Sequence, residues 1–500
     1  MGVEVSARRG SSDLLKILSG TSQNVLGIGI AAAATLAAQV LISRTLGTSG
    51  FGVVTVVTQA AFVASFATRA GMDMAVLRTV AVDAGRESYD RIRGRVARAA
   101  QVAFVASVVV VLAAIAGADE IRRVFSLDPQ GSRYSVEAAA VALPFVALTN
   151  VWLAATRGLK MMRYTLYVFW AGQPLLWIAL MVFAWRASPS EWATVAAYSA
   201  SWAAAAAAAW WCWRRESRTW PAEAPDAGEM KALFRYAGPR APAALFSQLL
   251  FWTDLFVLTR YVSDADVGVY SAALRAGQVV VLFLTSVNLM FSPYVADLHN
   301  RGEIRRLDTL FKSLTRWTLA ATLPAFLLIA VAPEDVLRIF GSGFGGGGAA
   351  LLILLAGQLV NIATGSAGFV LIMAGRTGWD LAVYLGALTL DLALAFALCP
   401  RYGIEGAAMA NAVTFATANT VRLALVKRLV GIQPYDRSYL RLIAPAAAAA
   451  AAMLAVQPAG RGTLGVVLTG LTGLGAYTVV YLLAGLTPPE RAAARRLLRR

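Results

Sequence analysis

Runs of about 20 mostly apolar residues follow one another along this chain with only short basic segments between them, and that arrangement leaves few folds open. A backbone in hydrocarbon has no water to bond, so each N–H and C=O must be satisfied within its own segment, which a helix of this length achieves. The hydrophobic share of 58% stands above the roughly 45–50% usual for soluble domains. The chain therefore reads as an all-α integral membrane protein of about 14 transmembrane helices.

The first span is expected at 21–42, after a polar start that holds Arg8, Arg9 and Lys16. It is too long and too loosely flanked for a signal-peptide core, so it is expected to be retained. The remaining spans are expected near 51–68, 99–117, 136–156, 164–184, 192–213, 236–258, 269–298, 317–332, 349–374, 380–399, 406–426, 440–456 and 464–486.

The net charge of +17 raises nucleic acid as a partner, but the basic residues are sorted by membrane side and form no soluble module. With the N-terminus inside, the cytoplasmic segments hold about 32 Lys and Arg, led by 69–98, 214–235, 301–316 and 491–500, against about 9 outside. Both termini are thus expected in the cytoplasm, an even number of spans is favoured, and nucleic acid is not expected as a partner. Cys212 and Cys399 fall near opposite membrane faces, so no disulfide is expected. His299, the single histidine, reads as a solvated loop residue without partners for zinc or a Ser-His-Asp triad. No metal site is expected.

The chain repeats itself. Residues 41–55, LISRTLGTSGFGVVT, align without gaps on 257–271, VLTRYVSDADVGVYS, matching Arg44 with Arg260 and Gly52 with Gly268. In each copy a helix ends at an Arg near the outer surface, crosses a short turn and re-enters after Gly, as a tight helical hairpin does. An even number of helices per repeat gives two lobes related by an axis along the membrane normal, with a cavity between them as the natural substrate site. The expected division is an N-lobe at 1–213, a cytoplasmic linker at 214–235, a C-lobe at 236–430, and two further helices with a basic tail at 431–500. The added pair is rich in Ala, Leu, Gly and Val, including the alanines at 446–452.

Three stretches carry a resemblance to a known family: the duplicated hairpin, IFGSGFGGGGAALLILLAGQ at 339–358, and CPRYGIEGAAMANAV at 399–413. In this order they resemble the polysaccharide-transport and O-antigen flippase branch of the MOP exporter superfamily, which also holds MATE multidrug exporters and lipid II flippases. The resemblance covers most of the chain. It implies two six-helix lobes around a central cavity, alternating access without ATP, and a polyprenyl-diphosphate-linked saccharide as cargo. A transporter and not an enzyme is expected, in a bacterial inner membrane, with membrane lipids and other polysaccharide-assembly proteins as candidate partners. No cofactor is expected beyond a coupling cation, H+ or Na+.

Charges inside spans cost about 2.5–3.5 kcal/mol each on insertion scales, so they mark places to look. Asp254 and Arg275 fall at similar depths of adjacent helices, as an ion pair would; either the pair pins the hairpin, or Arg275 meets diphosphate or Asp254 takes a coupling cation. The first copy has Ala38 and Gln59 at the matching positions, with Gln39 beside them. Asp391, flanked by Leu390 and Leu392, must be protonated, find a partner or bind a cation. Arg69 and Asp73 lie one turn apart, suited to local pairing or to gating the cytoplasmic mouth.

Amides suit a carbohydrate and the planar Arg fork suits a diphosphate. Candidate substrate contacts are Asn24, Gln39, Gln59, Arg69, Gln248, Arg275, Gln278, Gln358 and Asn361, and Gln173, Asn288 and Asn411 add to them; for any single amide, interhelical glue is the commoner role, while as a set they describe a polar interior. Asp73, Asp254 and Asp391 are the coupling or gating candidates. The glycines at 345–348 lack the Lys-Ser/Thr of a phosphate loop and read as a flexible turn.

A cation-coupled drug exporter shares the fold, but the first helix here lacks the acidic residue such exporters often carry. A membrane glycosyltransferase would need a sizeable external loop; the best candidate, 118–135, reads as an amphipathic connector.

Overall fold

The computed structural model describes residues 2–85, 87–127, 132–221, 223–457, 462–487 and 490–491, with the side chains of residues 2–28, 30–31, 85, 239–240, 243, 289–290, 292–293, 296 and 463 outside that description. All regular secondary structure among the described residues is helical. Nine helices there are long and apolar enough to cross a membrane. Two of the nine are double. α1 (Gly2–Thr68) breaks at Gly47, at φ 71°, and α16 (Thr377–Leu429) breaks at Gly403, at φ 52°. A left-handed backbone at these points lets one continuous helix turn back as two, and glycine adopts it without a Cβ penalty.

One further apolar crossing is formed if α10 (Asp264–Val279) and α11 (Leu282–Asn300) are taken as a single bent span, and the helices α7 (Glu191–Ser217), α8 (Ala227–Leu249) and the short α9 (Thr253–Leu258) lie where the sequence places spans. α10 and the start of α11 meet at a 49° bend. The total is consistent with about 14 spans.

The chain packs as two compact units. One comprises Gly27–Ser271 with Asp391–Gly403; the other comprises Met1–Leu26, Ala272–Leu390 and Ile404–Arg500. In the first, α2 (Met72–Gly85), α3 (Ile92–Ala116) and α5 (Ser132–Gly158) enclose a core of Met72, Val76, Ile92, Val96, Val151 and Ala155. α5 is its central post, with 72% of its apolar window buried against 22% for α3. Alanines let α5 approach its neighbours closely, while the outer helices keep their large side chains for lipid.

In the second unit, α11, α12 (Ile304–Val331), α15 (Ala367–Met373) and the later half of α16 share a core around Phe291, Phe311, Leu371 and Val426. The added helices α17 (Ile443–Val456) and α18 (Gly462–Val480) pack on each other and on α12. The Tyr477 hydroxyl donates to the Ala320 carbonyl at 2.8 Å, and the Gln457 amide donates to Val331 O at 2.9 Å.

Three local expectations take a different form. The glycines at 345–348 do not form a flexible turn: Ser342–Gly347 is a 3-10 helix. A Cβ on Gly345 would stand 3.3 Å from Arg338 Nε, and one on Gly348 would stand 3.0 Å from Glu334 Cγ, so the run is packed at these two positions. His299 closes the last turn of α11, because that helix outlasts its apolar stretch. Within 118–135 a short helix α4 (Ala118–Val124) carries the amphipathic pattern, with Glu120 on Arg123 and Asp119 on Arg133.

Candidate transport site

The two hairpin copies meet inside the first compact unit, and they meet at their matching glycines. A Cβ on Gly52 would stand 2.2 Å from the Asp264 carbonyl oxygen; one on Gly268 would stand 1.9 Å from that of Thr48. Thr48 and Asp264 are themselves equivalent in the repeat, so the crossing is symmetric. Each glycine faces the backbone one turn back on the other copy, an approach that no side chain permits.

Behind this crossing lies a buried polar cluster. The helix holding Asp254 is interrupted: α8 ends at Leu249, and α9 restarts at Thr253 after Trp252 leaves helical geometry. Asp254 sits in the first turn of α9 with no exposed surface, and its Oδ2 accepts a hydrogen bond from the Tyr270 hydroxyl on α10. Tyr270 and Asp391 are also fully buried, and Asp391 lies within electrostatic reach of the Tyr270 phenol. Cys399, two turns further along α16, is within reach of both carboxylates. Two acids and a phenol thus share one apolar interior at a break in a helix.

On the basic side of the same unit, Arg69 Nη1 donates to Asp73 Oδ2 at 3.1 Å, so the pair is local. The guanidinium also donates to Ser65 O at 3.0 Å and lies 3.7 Å above the Phe66 ring. Burial disfavours the Arg69 charge, with Asp73 opposing that effect. Arg157, at the end of α5, also lies within electrostatic reach of Asp73. A buried and a half-buried cation here both lie in the field of one carboxylate.

The remaining candidates are scattered. Gln39 is buried, while Gln59 and Gln248 are half-buried in the first unit, the latter just ahead of the helix break. Arg275 and Gln278 are half-buried on the last turns of α10 and belong to the second unit. Gln358 and Asn361, on α14 (Gly348–Thr364), bond to each other at 3.0 Å. The Asn24 side chain lies outside those described.

Several polar contacts had no clear sequence signal. Tyr270 reads as an ordinary apolar position of α10. The pair Arg422–Asp380, at 3.3 Å with Arg422 4.4 Å from the Tyr384 ring, joins the two halves of α16, and the lone Arg in an apolar span was its only trace. Arg316, 2% exposed, pairs with Glu490, which also accepts from Trp317 Nε1. Burial works against the Glu490 charge, but the donors Arg316, Trp317 and Thr487 N–H outweigh it and hold the carboxyl below its ordinary range.

The multi-pass helical fold, with its duplicated hairpin and acids buried at a broken helix, is the fold seen in solved structures of MATE and MurJ proteins. Among solved structures, the chain is similar to a lipid II flippase MurJ in an inward closed conformation, with a TM-score of 0.70 at 12% identity, covering 92% of this chain and 97% of that one. It is also similar to an inward-facing MATE multidrug resistance transporter, with a TM-score of 0.69 at 13% identity, covering 80% of this chain and 94% of that one.

The model of the polysaccharide biosynthesis protein family matches residues 17–299, and this chain belongs to that family. Two curated relatives come from Haloferax volcanii. The probable low-salt glycan biosynthesis flippase Agl15 is 25% identical over 39% of this chain and 42% of its own length. The probable flippase AglR is 24% identical over 46% of this chain and 50% of its own length. The match thus spans about half or less of each curated relative.

Proposed function

We propose that this protein is a flippase that moves a polyprenyl-diphosphate-linked oligosaccharide, a precursor of a cell-envelope polysaccharide, across a bacterial inner membrane by alternating access. The observation that carries the reading is the Asp254–Tyr270 pair with Asp391, sealed in an apolar interior where the helix is broken. Each buried charge costs about 2.5–3.5 kcal/mol on insertion scales, and the two carboxylates add nothing to apolar packing, so a transport role is the economical account. The family match and the glycan flippase relatives support a sugar lipid as cargo.

In this reading both termini are cytoplasmic, the lobes are 1–213 and 236–430 with the linker at 214–235, and 431–500 is the added pair with its basic tail. Asp254 and Asp391 take the coupling cation. Their carboxylates and the Tyr270 hydroxyl are hard oxygen donors, suited to Na+ or to holding a proton. The Gly52–Gly268 crossing closes the outer face and separates when that face opens. Arg69 and Arg275 meet the diphosphate, while Asn24, Gln39, Gln59, Gln248, Gln278, Gln358 and Asn361 serve the saccharide, and Asp73 sets the charge at the inner mouth. Other polysaccharide-assembly proteins receive the cargo.

The test is deletion of the gene and measurement of lipid-linked sugar on each membrane face, with rescue by the wild type and by Asp254→Asn. Precursor held on the inner leaflet, relieved by the wild type alone, is the expected result. Unchanged sugars with increased drug sensitivity would replace this reading with a MATE-like cation-coupled exporter.

A further inference from the structure

Helices α3, α5 and α7 form a groove on the first compact unit that the transport reading does not use. α3 and α7 each pack on α5. Between them is a hollow of about 450 Å³, lined by Phe104 and Ala97 of α3, Leu148 and Trp152 of α5, and Trp210 and Trp213 of α7, with Arg93 and Arg214 at its rim. From Arg93 to Phe104 the α3 wall runs about 16 Å at 1.5 Å per residue, so a cationic rim leads into an apolar trough. A second hollow, of about 760 Å³, adjoins it through shared Trp210 and Arg214, and is lined by Arg215, Arg218, Trp211 and Glu216.

The two hollows differ in chemistry. In the trough, Phe104 and Trp210 remain 46% and 42% exposed, as surfaces meant for hydrocarbon do. In the basic hollow, Arg214 lies 5.0 Å from the Trp210 ring and Arg215 5.5 Å from the Trp211 ring, which orients the guanidinium groups without neutralising them. Glu216, the one acid lining it, is already engaged by the Tyr164 hydroxyl and by Arg163. Among the described residues no carboxylate pairs with Arg214, Arg215 or Arg218. The rim is held from behind, since Arg93 donates to Trp220 O at 2.9 Å and the Trp220 ring packs on Tyr89 and Trp213.

We infer that this double hollow is a binding site for an anionic glycerophospholipid, with the phosphate on Arg214, Arg215 and Arg218 and an acyl chain in the trough over α5. Trp and Arg at the end of a span, a basic hollow and an adjoining apolar trough match the three parts of such a lipid in order. A polybasic cluster beside a span attracts anionic headgroups through the same charge. The lipid would brace α3 against α7 and fix the inner end of the helix that opens the basic 214–235 segment. Only the leaflet named, the cytoplasmic one, rests on the proposed orientation.

The experiment is native mass spectrometry of the full chain in detergent, given equimolar phosphatidylglycerol and phosphatidylcholine. Phosphatidylglycerol adducts are expected to dominate in the wild type, with the preference falling about fivefold for each arginine replaced among Arg214→Gln, Arg215→Gln and Arg218→Gln. Arg214→Lys should keep most of the preference, and Arg428→Gln, at an exposed position in the other unit, should keep all of it. Equal adducts of both lipids on the wild type, or a preference unchanged in the triple variant, would overturn the site. Displacement of phosphatidylglycerol by undecaprenyl phosphate at equal concentration would hand the groove to the cargo and also overturn it. None of these readouts depends on transport, so a failed flippase assay and a failed lipid site are told apart.

Discussion

The two hairpin copies touch through the same pair of glycines, yet they are chemically unlike around that contact. The first copy places Ala38, Val54 and Gln59 where the second places Asp254, Tyr270 and Arg275. On the basic side the difference reverses: Arg69 and Asp73 of the first copy correspond, at the same offset, to Thr285 and Leu289. The crossing needs an absence of side chain in both copies, so drift there is penalised twice. The flanking positions answer to one lobe only and were free to specialise. The comparison separates what holds the two-fold plan from what makes its halves do different work.

The largest effect is expected where the copies differ most. Asp254→Asn keeps the volume and removes the charge, and it should leave a folded protein without measurable transport of sugar lipid in reconstituted vesicles. Ala38→Asp added to that variant should not restore transport, because the first copy has no tyrosine at position 54 to share the acid. Restoration would mean that the copies are interchangeable and that the charge asymmetry is incidental.

The crossing itself should respond equally from both sides. Gly52→Leu and Gly268→Leu each force a side chain against a backbone carbonyl, and overpacking of this kind costs about 1–3 kcal/mol. Both variants should lose monodispersity at lower temperature than the wild type, by similar amounts, in heated size-exclusion runs. If one is silent, the symmetric contact is not what holds the hairpins. A disulfide between Thr48→Cys and Asp264→Cys should stop transport and release it on reduction, as expected if the crossing must open in each cycle.

Tyr270→Phe removes one hydroxyl donor from a buried carboxylate. Hydrogen bonds to charged groups are worth about 1.5–3 kcal/mol, so a fall in transport of about tenfold or more is expected. A merely structural tyrosine would lower yield and leave the pH dependence of transport alone; a tyrosine that sets the state of Asp254 moves that dependence. Val54→Phe at the matching position of the first copy should leave the pH profile in place.

Much of this plan was legible in the sequence, for identifiable reasons. The length of the apolar runs fixes spanning helices because the backbone has no other way to satisfy itself in lipid, and the repeat at 41–55 and 257–271 fixes the hairpins because it keeps the turn and the glycine together. Arg69 with Asp73 was readable because i and i+4 meet on any helix. Tyr270 beside Asp254 was not, since its partner lies on the preceding helix and a tyrosine in an apolar run looks like packing. Gln358 and Asn361 were readable separately, and their bond to each other, three residues apart on one helix, was not, whereas Arg316 with Glu490 joins positions far apart in the chain, which no local pattern reveals.

The smallest effect is also the sharpest probe of the comparison. Gln59 is half-buried and neutral, and a membrane-helix hydrogen bond of its kind averages about 0.6 kcal/mol, so Gln59→Ala should slow transport only about threefold. Gln59→Arg instead gives the first copy the charge that the second carries at position 275. If the cargo's diphosphate needs a cation at this level of the repeat, Arg275→Gln should lower transport and the double variant Gln59→Arg with Arg275→Gln should recover part of it. If it needs the cation on the same hairpin as Asp254, the double variant stays as slow as Arg275→Gln alone, and the asymmetry of the two copies is itself the device that distinguishes the cargo's ends.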